Sequence, residues 1–289
     1  MDIDFEEVSV AVVHGTALER GGGVQVAEEL ARTLEAPLYF GFCSEEVREK
    51  ISSDIEARFL FESSWLSRFK HDSVFRNVFY LSEFQHVPEL HRFDVVVQSD
   101  NGTEWYVPPE DQALVRYVHN VPARPYHAFP EMGGSFVSKW FGFASRLLRL
   151  PNERLPDARL ANSEYTSRQL RKYLDLDANV AYPPVDTERF EGQDREEFYL
   201  SLSRLIEGKG TRELVQTFSE DHSDKQLVVA GSGPLESELR SIAGDNVDVR
   251  GWVDEDTKRE LLGQTKALVL NSGNESFGIV PVEAFSSGT

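Results

Sequence analysis

Two carboxylates, Glu275 and Glu283, stand eight positions apart in the segment LVLNSGNESFGIVPVEAFSSGT. Phe277, Gly278, Ile279, Val280 and Pro281 lie between them, a loop running into a helix start near Ile279 to Pro281. The first turns of that helix then carry Glu283, whose carboxylate can accept two hydroxyls of a ribose, while Glu275 in the loop can face a sugar. Two solvated carboxylates of an acidic chain are the competing reading, and the Gly and Pro between them argue for deliberate loop geometry. A second constellation is SLSRLIEGKGTRELVQTF, where Arg204 ends a strand and Lys209 follows in the loop before a helix. A guanidinium fork and a point-like ammonium converging there suit a diphosphate. A solvated Lys and a surface Arg are the alternative. A third is HGTALERGGGVQVAEELARTL, where Gly21, Gly22 and Gly23 open a helix. Its first amides can accept phosphate or sugar oxygens, or the glycines merely make a flexible loop.

Short β-branched runs alternating with amphipathic stretches must position these groups, the pattern of βα units around parallel sheets buried on both faces. Strands are expected at Val8 to Val13, Leu38 to Phe42, Asp94 to Gln98, Leu114 to His119, Arg159 to Asn162 and Val180 to Tyr182. After the polar stretch FEGQDREE they follow at Phe198 to Ser203, Gln226 to Ala230, Val247 to Gly251 and Ala267 to Leu270. The expected organisation is α/β: a first doubly wound domain over residues 1–189, a linker at 190–197, and a second over 198–289, with a cleft between them. Ligands of such sheets sit beyond the carboxyl ends of the strands. Neither nucleotide fingerprint is met: Gly231-Ser232-Gly233-Pro234 lacks the third glycine of the dinucleotide pattern, and Gly208-Lys209-Gly210-Thr211 lacks P-loop spacing. Asp254-Glu255-Asp256 looks like a metal triplet but falls at a helix start, where a cap and first-turn anions are the better reading. No metal site is expected.

The 289 residues carry 30 Lys plus Arg against 49 Asp plus Glu, a net charge of −19. Such a field opposes nucleic acid, whose binding needs clustered cations. Cys43 is alone, which excludes an intrachain disulfide and fits a reducing, cytoplasmic setting. The acidic start MDIDFEE lacks the basic flank of a signal peptide, and no 18-residue apolar run occurs. One stretch departs from the acidic background. From Val137 to Leu160, Lys139, Arg146, Arg149, Arg154 and Arg159 outweigh Glu153 and Asp157, interleaved with Trp140, Phe141 and Phe143. The part from Val137 to Leu150 reads either as a peripheral contact with the cytoplasmic face of an anionic membrane or as a helix packed into the first domain.

The segments GGGVQVAEELARTL, YVHNVPARPY, ANSEYTSRQL, AYPPVDTERF, SRLIEGKG, VVAGSGP and NESFGIVPVEA, taken in order, resemble the successive motifs of glycosyltransferase family 4. The resemblance implies a GT-B fold of two Rossmann-like domains and a nucleotide-sugar donor held by the second. It also implies a glycan or lipid-linked acceptor held by the first and transfer of a hexosyl unit with retention, without metal or other cofactor. Carried over by position, Arg204 and Lys209 hold the donor diphosphate and Glu283 the ribose hydroxyls. Glu275 contacts the donor sugar, and the backbone of Phe277, Gly278 and Ile279 lines its pocket. His119 matches a histidine that contacts the transferred sugar, and Gly22 and Gly23 match the loop approaching the donor phosphates. Relatives of this kind continue past a segment like NESFGIVPVEA into further strands and helices. The second domain of this chain is therefore read as incomplete, with Ala267 to Leu270 an open edge and little transferase activity expected unless a dimer partner compensates. The rival functions are an inactive remnant that only binds nucleotide or a partner, and a nucleotide-sugar 2-epimerase.

Overall fold

The computed structural model describes residues 8–18, 21–61, 79–80, 82–85, 87–100, 102–121, 155–273 and 275–289. The basic aromatic stretch from Val137 to Leu150 lies outside them. Two compact units follow one another, Met1–Pro183 and Pro184–Thr289.

The first unit is built on a seven-stranded parallel sheet. In chain order its strands are β1 (Val10–Ala17), β2 (Leu38–Cys43), β3 (Ala57–Phe59), β4 (Val95–Gln98), β5 (Ala113–Val118), β6 (Ala158–Ala161) and β7 (Asn179–Val180). Across the sheet they run β3-β2-β1-β4-β5-β6-β7, so the strand order reverses between β1 and β4. Helix α1 (Gly22–Thr33) covers one face and α2 (Glu45–Glu49) follows β2; α3 (Glu164–Leu174) follows β6. Alternation along β1 decides the layers: Val12 joins Val24, Ala27, Ala31, Leu38 and Phe40 under α1. Val13, one residue on, faces the opposite cluster of Tyr39, Phe42, Tyr80, Phe84, Trp105 and Tyr106. Cys43, at the end of β2, is buried in the α1-side cluster. Helix α3 starts where Ser163 Oγ accepts from the Thr166 amide at 3.1 Å and stops where Asp175 turns left-handed at φ 55°.

The second unit has a four-stranded parallel sheet of β8 (Phe198–Leu202), β9 (Gln226–Ala230), β10 (Val247–Gly251) and β11 (Ala267–Leu268), ordered β10-β9-β8-β11. Its reversal lies between β8 and β11. Helices α4 (Thr211–Glu220) and α5 (Glu236–Ile242) cover one face through Leu214, Val215, Phe218 and Leu239, against Leu227 and Val229 of β9. Helices α6 (Glu255–Gln264) and α7 (Ile279–Ser286) cover the other with Leu261, Leu262 and Ala284, against Val228 and Ala230. β11 is shorter than the expected strand Ala267 to Leu270; it pairs with β8, and the Val269 amide still donates to the Leu200 carbonyl at 2.8 Å. The polar stretch Phe190 to Glu197 lies inside this unit. Phe190 is buried in its core, and the Arg195 guanidinium donates to the carbonyls of Gly263, Thr265 and Ser287 at 2.9, 3.0 and 2.7 Å. That side chain ties the ends of α6 and α7 to the strand that follows it.

Candidate active site

In parallel sheets the crevice for a ligand forms where strand order reverses, beyond the carboxyl ends of the two diverging strands. In the first unit that point lies beyond β1 and β4. His14 of β1 is buried, its Nδ1 2.7 Å from Ser99 Oγ just after β4. Its Nε2 stands 4.0 Å from Asp100 Oδ2. Asp100 accepts three backbone amides, Gly15 and Gly102 on Oδ1 at 3.0 Å each and Thr16 on Oδ2 at 3.2 Å. One carboxylate thus fixes the end of β1 against the loop after β4. The start of α1 comes to the same place: a Cβ on Gly23 would stand 3.6 Å from His14 Cε1. Gly22 and Gly23 begin that helix, where amides lack intrahelical acceptors.

His119 follows β5, and Asn162 Nδ2 donates to its carbonyl at 2.8 Å. Its Nε2 is buried and without a hydrogen-bond partner. Burial, helped by nearby His14, pushes its imidazole down to about 4, against the opposing pull of Asp100 and a hydrogen bond to the Ser99 backbone. In the neutral ring an unprotonated Nε2 can accept a hydroxyl. Because the folded value lies below the free one, stability from neutral His119 is complete above about pH 6.5 and is lost as the pH falls toward 4. A ring resonance of His119 followed by NMR should titrate near 4; titration near 6.5 would show a solvated imidazole.

In the second unit the reversal lies beyond β8 and β11; the loops after these strands carry Arg204, Lys209 and Glu275, while Glu283 lies on α7. Arg204 is exposed, two residues past the end of β8 rather than at the strand end as the sequence reading had it. Its loop is shaped by two glycines. A Cβ on Gly231 would lie 1.8 Å from the Ser203 carbonyl oxygen, and one on Gly233 2.2 Å from that of Leu205. Both have positive φ, 139° and 157°, so the loops after β8 and β9 run backbone against backbone and only glycine fits. The Leu205 amide closes the contact on Ser232 O at 2.8 Å.

Lys209 and Glu275 meet directly: Nζ is 2.6 Å from Oε2, with side chains 19% and 37% exposed. Phe277 lies in the short turn after Glu275, and Gly278 leads into α7 at Ile279. Glu283, on that helix, is buried at 5% exposure. Its Oε1 accepts from Lys258 Nζ at 2.8 Å, while its Oε2 is buried and without a partner. Asp254 caps α6, its Oδ1 accepting from the Thr257 amide at 2.8 Å. The Thr257 hydrogen bonds, side chain foremost, hold its carboxyl below the usual range. Glu255 pairs with Lys258 at 2.9 Å and Asp256 with Arg259. Among the described residues no group of three or more His, Cys, Asp or Glu is arranged to hold a metal, and no helix is long and apolar enough to cross a membrane.

Sequence reasoning missed His14, Ser99, Asp100 and Lys258. Ser99 and Asp100 follow the rule it applied elsewhere, since both lie just past the carboxyl end of β4 beside the reversal, whereas His14 sits inside β1. Lys258 carries no such signal, because it sits mid-helix on α6.

Residues 185–289 match the family model described as glycosyl transferases group 1. An uncharacterized glycosyltransferase of Methanocaldococcus jannaschii is 32% identical over 104 residues, 34% of this chain and 27% of that protein. The matched stretch thus spans about a quarter of the relative's length. The chain also superposes on Anabaena HepE, solved with UDP and glucose, with a TM-score of 0.68 at 14% identity, covering 96% of this chain and 78% of that one. Sucrose-phosphate synthase from Thermosynechococcus elongatus gives 0.69 at 15% identity, covering 97% and 80%. The match to the group 1 glycosyltransferase model thus falls within the second unit, and the chain as a whole has the α/β GT-B fold of two Rossmann-like units.

Proposed function

We propose that this chain is a family 4 glycosyltransferase that moves a hexosyl unit, with retention, from a nucleotide-sugar donor to a saccharide or lipid-linked acceptor. The observation that carries the reading is Glu283, a buried carboxylate on α7 with one oxygen held by Lys258 and the other bare. A buried acceptor without a donor costs free energy that a bound hydroxyl would recover. The UDP bound to Anabaena HepE supports a nucleoside diphosphate as the group concerned. Arg204 and Lys209 then neutralise the charge that develops on the departing diphosphate, together with the amides leading into α7 at Phe277, Gly278 and Ile279. Lys209 exchanges its carboxylate partner for phosphate, which releases Glu275 to accept a sugar hydroxyl. In the first unit, His119 Nε2 accepts a hydroxyl, and the α1 amides at Gly22 and Gly23 accept anionic or sugar oxygens.

No resident metal enters this scheme, since side-chain cations and amides supply the charge. A thermal-shift screen with UDP, GDP and ADP sugars tests it, because a ligand bound only by the folded state raises the melting temperature. One nucleotide series should stabilise the protein, and transfer to an acceptor should persist in EDTA. Release of free nucleotide without an acceptor would favour a 2-epimerase, and binding without turnover a nucleotide-binding protein.

A further inference from the structure

Lys258 lies on α6, its side chain only 13% exposed, in a pocket made by two carboxylates and a ring. Nζ stands 2.8 Å from Glu283 Oε1 and 2.9 Å from Glu255 Oε2, and 5.6 Å from the Phe190 ring centroid. The Glu255 contact is a turn of the same helix and mostly solvated, with that carboxylate 61% exposed. The Glu283 contact joins two helices and is buried on both sides. An isolated buried carboxylate is costly and needs a countercharge. Among the described residues Lys258 is the one cation paired with Glu283. It engages only one oxygen, and the other remains bare although it is out of contact with solvent. The ammonium therefore sets both the charge of Glu283 and the direction in which its free lone pairs point.

We infer that Lys258 is a positioning residue that turns Glu283 Oε2 toward the sugar hydroxyls of a nucleoside diphosphate, and so makes the site select ribose over 2′-deoxyribose. The inference rests on the nucleotide reading of Glu283 given above. It differs from a purely structural salt bridge in what it controls. A structural bridge changes stability and leaves the choice between the two sugars untouched; a positioning one changes the choice.

The test measures binding of UDP, GDP and ADP by calorimetry, each beside its 2′-deoxy counterpart, in the whole chain. The tightest pair in the wild-type protein should favour ribose by about tenfold or more, as a hydrogen bond to a charged acceptor provides. Lys258→Met keeps the aliphatic stem, and the preference should fall below about threefold; Lys258→Arg, which restores a cation, should recover most of it. If the Met variant does not fold, Lys258→Gln replaces it, with the preference again expected to fall. A folded Met or Gln variant that keeps the wild-type preference overturns the inference while leaving the nucleotide reading intact, provided Glu283→Gln loses the preference. If Glu283→Gln also keeps it, or if no nucleoside diphosphate binds, the nucleotide reading fails and the inference with it.

Discussion

Lys209→Ala is expected to weaken nucleoside-diphosphate binding by on the order of a hundredfold, the upper end of what one hydrogen bond between charged groups supplies. Two effects add. The variant loses the donor to phosphate, and it also strips Glu275 of the ammonium that neutralises it at 2.6 Å. An uncompensated carboxylate is then left facing the place where the diphosphate should settle. Removing that charge should therefore restore binding: Lys209→Ala combined with Glu275→Gln is expected to recover about tenfold over the single Ala variant, a coupling that a double-mutant cycle isolates. Glu275→Gln alone should leave nucleotide affinity intact or slightly tighter, because Lys209 no longer has a competing partner, while transfer falls. Calorimetry with the nucleotide found in the thermal screen decides the matter. An affinity for Lys209→Ala within about twofold of wild type would remove Lys209 from the site.

Asp100→Ala should lower the stability of the first unit by about 2 to 4 kcal/mol, a large loss for one polar side chain on a loop. The reason is geometric. Three amides, those of Gly15, Thr16 and Gly102, donate to one carboxylate. Truncation leaves all three without that acceptor beside a buried aromatic cluster, where Tyr80 already donates to the Gly15 carbonyl. Asp100→Asn keeps one acceptor oxygen and should recover about half of the loss. Urea denaturation monitored by tryptophan fluorescence reads it, because Trp105 lies in that cluster. A change below about 0.5 kcal/mol would mean that water replaces the carboxylate at low cost and that β1 is held by its neighbours alone.

The fold was legible because hydrophobic alternation and the length of each run are local properties. Gln226 to Ala230 and Val247 to Gly251 form strands with the expected ends, and α1 starts at the glycines expected to open a helix. The candidate residues of the second unit could be named from sequence because Arg204 with Lys209 and Glu275 with Glu283 each lie within a short segment. What sequence could not supply was partnership. Lys209 meets Glu275 from another βα loop, Glu283 meets Lys258 from another helix, and His14 meets Ser99 and Asp100 across the β1–β4 pairing. Parallel topology creates these neighbours by bringing the carboxyl ends of strands far apart in the chain to one edge. Gly231 and Gly233 illustrate a further limit. Read as a failed fingerprint, they are required by the carbonyls of Ser203 and Leu205, which no local pattern announces.

Cys43 offers an experimental handle that follows from its place alone. It is the single thiol of the chain and is buried at the end of β2, within the first unit. A thiol reagent can modify it only when that edge of the sheet opens, so the labelling rate measures the opening of one unit against a silent second. Run with and without a nucleotide, the same reaction shows whether a ligand captured by the second unit slows breathing in the first. No engineered probe is needed for that measurement, and the wild-type chain is its own reporter.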